Sequence, residues 1–185
     1  WSDVVLLERN QPTSGTTWHA AGLITTARPT SGMRQVVKRS IEVFKALGYE
    51  STAVTQKAYN GVAILSRYPM QTISTILAGD EADSHARFLE VIVEGIRIAN
   101  IYLPNGNPVG TLKFAYKLQW MDRLYRQMST WLNEDVPTLI GGDFNVIPED
   151  IDCHKPSYWV RDALFQPESR AGYRALLDLG YTDAF

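Results

Sequence analysis

The stretch that most limits how this chain can fold runs from Val136 to Pro148, where the apolar segment Val136 to Ile140 stops abruptly at Gly141-Gly142-Asp143-Phe144-Asn145-Val146-Ile147-Pro148. Val136 to Phe144 reads as a buried strand, and residues two apart on a strand point to the same face. Asp143 and Asn145 are therefore expected to project together from a strand end. There a carboxylate can activate water or hold a metal, while the amide orients it or the substrate. That pairing suits phosphodiester hydrolysis. Gly, Asp and Asn also dominate ordinary turns, so this segment alone leaves both readings open.

Further motifs separate them. Asn60-Gly-Val-Ala-Ile-Leu-Ser-Arg67 and Ile101-Tyr-Leu-Pro-Asn-Gly-Asn-Pro108 come before the acidic segment. Asp162-Ala-Leu-Phe-Gln-Pro-Glu-Ser-Arg170 and Leu179-Gly-Tyr-Thr-Asp-Ala-Phe185 follow it. In this order and spacing, roughly Tyr49 to Phe185 resembles the exodeoxyribonuclease III family of DNA-repair nucleases. The Asp162 to Arg170 stretch favours the DNA-repair branch over relatives acting on other phosphate esters.

The resemblance implies an α/β (α+β) chain, a partial two-sheet β-sandwich with flanking helices and an active site along one sheet edge. It implies metal-dependent hydrolysis of double-stranded DNA, as a 3′ to 5′ exonuclease and an endonuclease at abasic sites. Asp143 would be the catalytic acid or base, with Asn145 positioning it and contacting phosphate or metal. Tyr102 matches the family's active-site tyrosine, and Asn105 a polar residue near the DNA backbone. A divalent ion, Mg²⁺ or Mn²⁺, would bind oxygens of Asp143 and Asn145. The family's remaining metal-binding glutamate and companion asparagine come from its first strands, and its Asp-His pair lies beyond Phe185. The isolated chain is accordingly expected to show no turnover on abasic duplexes and to be marginally stable.

Residues 1 to 50 read differently. Asp3-Val-Val-Leu-Leu-Glu-Arg9 is a short strand ending in an acid, followed by a Pro-Thr-Ser-Gly turn and Thr17-Trp-His-Ala-Ala-Gly-Leu23. With the amphipathic stretch Met33 to Leu47, this short β-loop-α segment resembles the flavin-binding start of dimethylglycine and sarcosine dehydrogenases. That resemblance would place Glu8 at the adenosine ribose and His19 at a covalent FAD attachment point. The glycine-rich loop such a site needs is absent before Asp3. An FAD-dependent amine oxidoreductase fragment is therefore the alternative function, and a non-catalytic chimeric product a third. A seam is expected near residue 50, separating a 1–50 fragment from a 51–185 fragment. Six basic residues face four acidic ones before it and twelve face sixteen after it.

The composition bounds the rest. With 185 residues and 45% hydrophobic content the chain suits one ordinary globular domain. A formal charge of -2 and a pI near 5.9 oppose a global basic field, so any DNA contact must be local. No apolar run is long enough for a bilayer and no secretory leader opens the chain, which gives a cytoplasmic expectation. Cys153 and His154 read as loop residues. Gly61 to Arg67 is expected to be a strand, and Arg87 to Leu103 a hairpin turning at Glu94-Gly95. Lys113 to Glu134 should be a helix with its apolar stripe on Leu118, Met121, Leu124, Met128 and Trp131 or Leu132. Lys113 and Lys117 share a helix face, solvated or set against DNA phosphates. Pro167 to Leu179 should be a second helix, capped by Gly180.

Overall fold

The computed structural model describes residues 31–56 and 60–184. The chain divides into two units, Trp1–Val43 and Phe44–Phe185. Helix α1, Ser31–Ala46, carries an exposed Arg39 to Glu42 ion pair at 2.9 Å and ends where the sequence provides a stop. Gly48 takes φ +81°, its N–H bonds to Lys45 O and that of Tyr49 to Phe44 O. Those two bonds satisfy carbonyls that the last turn would otherwise leave unpaired.

Two sheets follow. β1 (Glu50–Thr55) and β2 (Gly61–Ser66) form an antiparallel pair. β3 (Gln71–Ser74), β4 (Phe88–Val93), β5 (Ile96–Tyr102) and β6 (Thr138–Asp143) form a four-stranded sheet in that order. The β4–β5 hairpin turns at Glu94 and Gly95 as expected, both with positive φ, the backbone that a tight two-residue connection requires.

Side chains alternate across β4 and β5, so these strands feed two cores. Leu89, Val91 and Val93 meet Val62, Val54 and Ile64 of the smaller sheet. On the opposite face Phe88, Ala99, Ile101 and Leu103 pack against Trp120, Met121, Leu124, Met128 and Trp131 of helix α2, Leu112–Trp131. Leu176 of helix α3, Pro167–Asp178, joins them. Each large side chain so buried contributes about 1.5–3 kcal/mol. The layers are thus sheet, sheet and helices, the fold expected from the sequence. Leu132 is exposed, and it is Trp131 that closes the α2 stripe. Gly180, at φ +112°, ends α3.

β6 departs from expectation. It is not a buried strand: it pairs with β5 alone, in parallel, at the edge of the described sheet. Ile140 packs toward the helices, whereas Leu139 on the other face is 58% exposed. Among the described residues the smaller sheet packs mainly on β4 and β5. The exposed side of β6 runs directly into the Asp143 segment.

Candidate active site

Parallel pairing of β5 and β6 sets Tyr102 opposite Asp143, and Leu103 N–H extends the ladder to Asp143 O at 2.9 Å. The glycine before Asp143 makes this closeness possible. At Gly142, φ is +129° and a Cβ would fall 2.0 Å from Ile101 O, so any other residue would push the strands apart. Tyr102 is half-buried and Asp143 exposed, on the strand ends.

Asn145 reaches Asp143 by a route the alternation argument did not contain. β6 stops at Asp143, and Asn145 takes the left-handed conformation, φ +47°, which asparagine tolerates better than most residues. Its backbone N–H donates to Asp143 Oδ1 at 2.9 Å. Its Nδ2 donates to Leu103 O at 2.9 Å, and its Oδ1 accepts from Asn105 Nδ2 at 3.2 Å. Acid and amide therefore converge through a local turn, and period-two alternation is not the cause.

The amide chain continues outward. Asn105 Oδ1 accepts from Asn107 Nδ2 at 2.9 Å, and the same Nδ2 donates to Asp162 Oδ2 at 3.0 Å. Asn107 Oδ1 takes the Ala163 N–H at 2.9 Å. The Asp162 to Arg170 motif thus supports the Asn105 loop, and Asn107 is a site residue that the sequence analysis passed over. Arg87 is another. Its guanidinium lies 4.8 Å from the centroid of the Tyr102 ring and its Nη1 donates to Tyr102 O at 3.1 Å. The signal available for Arg87 was its place opening the strand that pairs with the Tyr102 strand.

The Endonuclease/Exonuclease/phosphatase family model matches residues 5–180. The chain belongs to that family. Among curated relatives it is 28% identical over 137 residues to the DNA repair nuclease APEX1 of Danio rerio, covering 74% of this chain and 44% of that protein. An exodeoxyribonuclease of Bacillus subtilis is 28% identical over 131 residues, covering 70% and 51% respectively. Among solved structures, the 3′-5′ exonuclease NExo from Neisseria meningitidis superposes with TM-score 0.72 at 33% identity, covering 77% of this chain and 56% of that one. An AP endonuclease from Archaeoglobus fulgidus gives 0.71 at 29%, covering 86% and 58%. The chain spans about half the length of these relatives.

The match to the Endonuclease/Exonuclease/phosphatase family begins at residue 5 and so runs over the segment read as flavin-binding, a reading that gains no support. Glu8 and His19 lie outside the described residues.

Lys117 corrects a second expectation. It is neither solvated nor available to a duplex, because it is fully buried on the core face of α2. Its Nζ donates to Asn145 O at 2.6 Å and to Pro104 O at 3.2 Å. Burial lowers its pKa to about 8, against the pull of the Asp143 and Asp162 carboxylates. Lys113, one turn earlier, is exposed. Four-residue spacing put the two on neighbouring positions, but the core covers only one of them.

The described residues hold no group of three or more His, Cys, Asp or Glu side chains able to hold a metal. What they offer is one exposed carboxylate and one amide oxygen, both hard donors. A hydrated Mg²⁺ fits such a set, since it keeps several waters and takes one or two carboxylates plus substrate phosphate. No helix among the described residues is long and apolar enough to cross a membrane.

Proposed function

We propose that this chain carries part of the active site of a DNA-repair nuclease that hydrolyses phosphodiesters as a 3′ to 5′ exodeoxyribonuclease and at abasic sites. The supporting observation is the register that sets Tyr102 against Asp143 while Asn145 is bonded to Asp143 and to Leu103. DNA is the substrate that the relatives' names suggest, and the local character of the site agrees with the chain's small net charge.

The Asp143 carboxylate spends one oxygen on a single backbone N–H and stays open to solvent, so it can accept the proton of an attacking water. The Tyr102 hydroxyl donates to a phosphoryl oxygen. Asn145 Nδ2 carries two protons, gives one to Leu103, and has the other for phosphate. Asn105 and Lys113 contact the backbone beside the scissile bond. A divalent ion, when bound by Asp143 and Asn145, supplies charge neutralisation on the phosphoryl oxygens. The seam near residue 50 is part of this proposal: residues 51–185 carry the nuclease chemistry.

Binding and cleavage of a duplex containing a tetrahydrofuran abasic analogue test this reading, with an intact duplex as control and Mg²⁺ or Mn²⁺ present. Preference for the abasic duplex by about tenfold, or 1.4 kcal/mol, that is lost in Asn105→Ala and Asp143→Ala supports it. Equal binding of both duplexes, insensitive to these substitutions and without cleavage, overturns it.

A further inference from the structure

Helix α2 presents Phe114, Trp120, Met121, Leu124 and Met128 to the core, and among them an ammonium group. Methionine at position 117 would continue that stripe at lower cost, because moving a charge out of water costs several kcal/mol unless partners repay it. The partners here are two main-chain carbonyls from loops far apart in sequence. Pro104 O precedes Asn105, and Asn145 O belongs to the left-handed asparagine itself. The fold also clears a path for the side chain. Gly106, at φ +89°, is buried, and a Cβ there would lie 2.6 Å from Lys117 Cδ and 3.3 Å from Ala163 Cβ.

We infer that Lys117 is the positioning residue of the site, pinning the Leu103 to Asn107 loop and the Asn145 turn to each other from beneath so that Asn105 and Asn145 present their amides together. This rests on the nuclease reading for its consequence, though not for its geometry. One ammonium crosses from helix to both loops; the hydrogen bond from Asn105 Nδ2 to Asn145 Oδ1, at 3.2 Å, joins the same loops from the solvent side. Without Lys117, the Pro104 and Asn145 carbonyls lose their donor, and an acceptor left unpaired away from water is unfavourable. The loops then move to regain water, carrying Asn145 away from Asp143.

The test combines amide NMR with duplex binding, using Lys117→Met. Backbone exchange at Asn145 and Leu103 should quicken at least about tenfold, a 1.4 kcal/mol loss of local protection, and the side-chain amide signals of Asn145 and Asn105 should shift. Val91 and Leu124, in the cores, should keep their exchange rates. Affinity for the abasic analogue should fall as in Asn145→Ala, with the double variant no worse than either single one. If Lys117→Met does not fold, Gly106→Ala keeps the charge but pushes on its stem, and the same local signature is expected. Faster exchange throughout the domain, or unchanged Asn145 signals, overturns the inference. If the local signature is present but the unmodified chain binds no abasic duplex, positioning holds and the nuclease reading fails.

Discussion

Arg97 and Asp143 stand at opposite ends of the paired strands β5 and β6, and the chain treats their charges in opposite ways. Arg97 is buried; its Nε donates to Glu90 at 2.8 Å, its Nη2 pairs with Glu134, and its guanidinium lies 5.3 Å from the centroid of the Trp131 ring. Asp143 is exposed, its carboxylate bonded to the Asn145 backbone N–H and its strand position paired with Tyr102. A cation buried in this way is shut off from a ligand, its one unpaired nitrogen, Nη1, included. A carboxylate held by one backbone N–H and otherwise open to solvent keeps its charge available, while that bond fixes its direction. One end of the strand pair therefore serves the fold, and the other is free for chemistry.

The harshest way to break this contrast is Gly142→Ala. Its Cβ would meet Ile101 O inside any contact distance, in a backbone conformation that alanine avoids. We expect a loss of at least about 3 kcal/mol in urea denaturation, with both ends of the β5–β6 pair disturbed. Unchanged stability would mean the strands are not held as closely as Gly142 allows.

Asp143→Asn sharpens it. The amide keeps an acceptor for Asn145 N–H but cannot take a proton, so any phosphodiester cleavage the unmodified chain shows should drop by roughly 10²–10⁴-fold, while stability moves by less than about 0.5 kcal/mol. Arg97→Met should do the reverse. It leaves Glu90 buried without its partner and should cost about 3 kcal/mol, with duplex affinity per folded molecule unchanged. Adding Glu90→Leu should recover much of that loss. If Arg97→Met weakened DNA binding at constant stability, the division between the two ends would fail.

The sequence showed the chemical end of this pair more clearly than the structural one. Asp143 and Asn145 were legible because two glycines and an acid after an apolar run are unusual, and Tyr102 because of its motif. The Glu94-Gly95 hairpin and the Gly180 stop were legible because positive φ restricts residue choice. Lys117 was not, since a lysine in a helical stripe reads the same whether its ammonium meets water or two distant carbonyls. Asn107 and Asp162 were hidden for a similar reason: their bond spans 55 residues, and no local pattern encodes it. The place of β6 at the edge of the described sheet depends on which strands pair, a tertiary fact.

A third charged cluster lies between these extremes and gives the smallest expected effect. Asp83 is enclosed like Glu90, but its donors are mixed. Arg123 Nη1 lies at 2.7 Å, Tyr116 Oη at 2.9 Å and His85 Nδ1 at 2.8 Å, tying the 75–87 loop to α2. Burial alone would raise the Asp83 carboxyl, but bonds from Arg123, His85 and Tyr116 outweigh it and hold the pKa below the ordinary 3.8. In the unfolded chain those donors are gone. The ionised group therefore stabilises the fold above 3.8, and this contribution disappears as pH falls through the lower folded value. Denaturation midpoints measured from neutral pH into that acid range should drop less steeply for Asp83→Asn than for the unmodified chain. Parallel curves would show that the loop is held by Arg123 binding to Leu77 O and Ala78 O alone. The cluster would then belong with the purely structural end of the molecule.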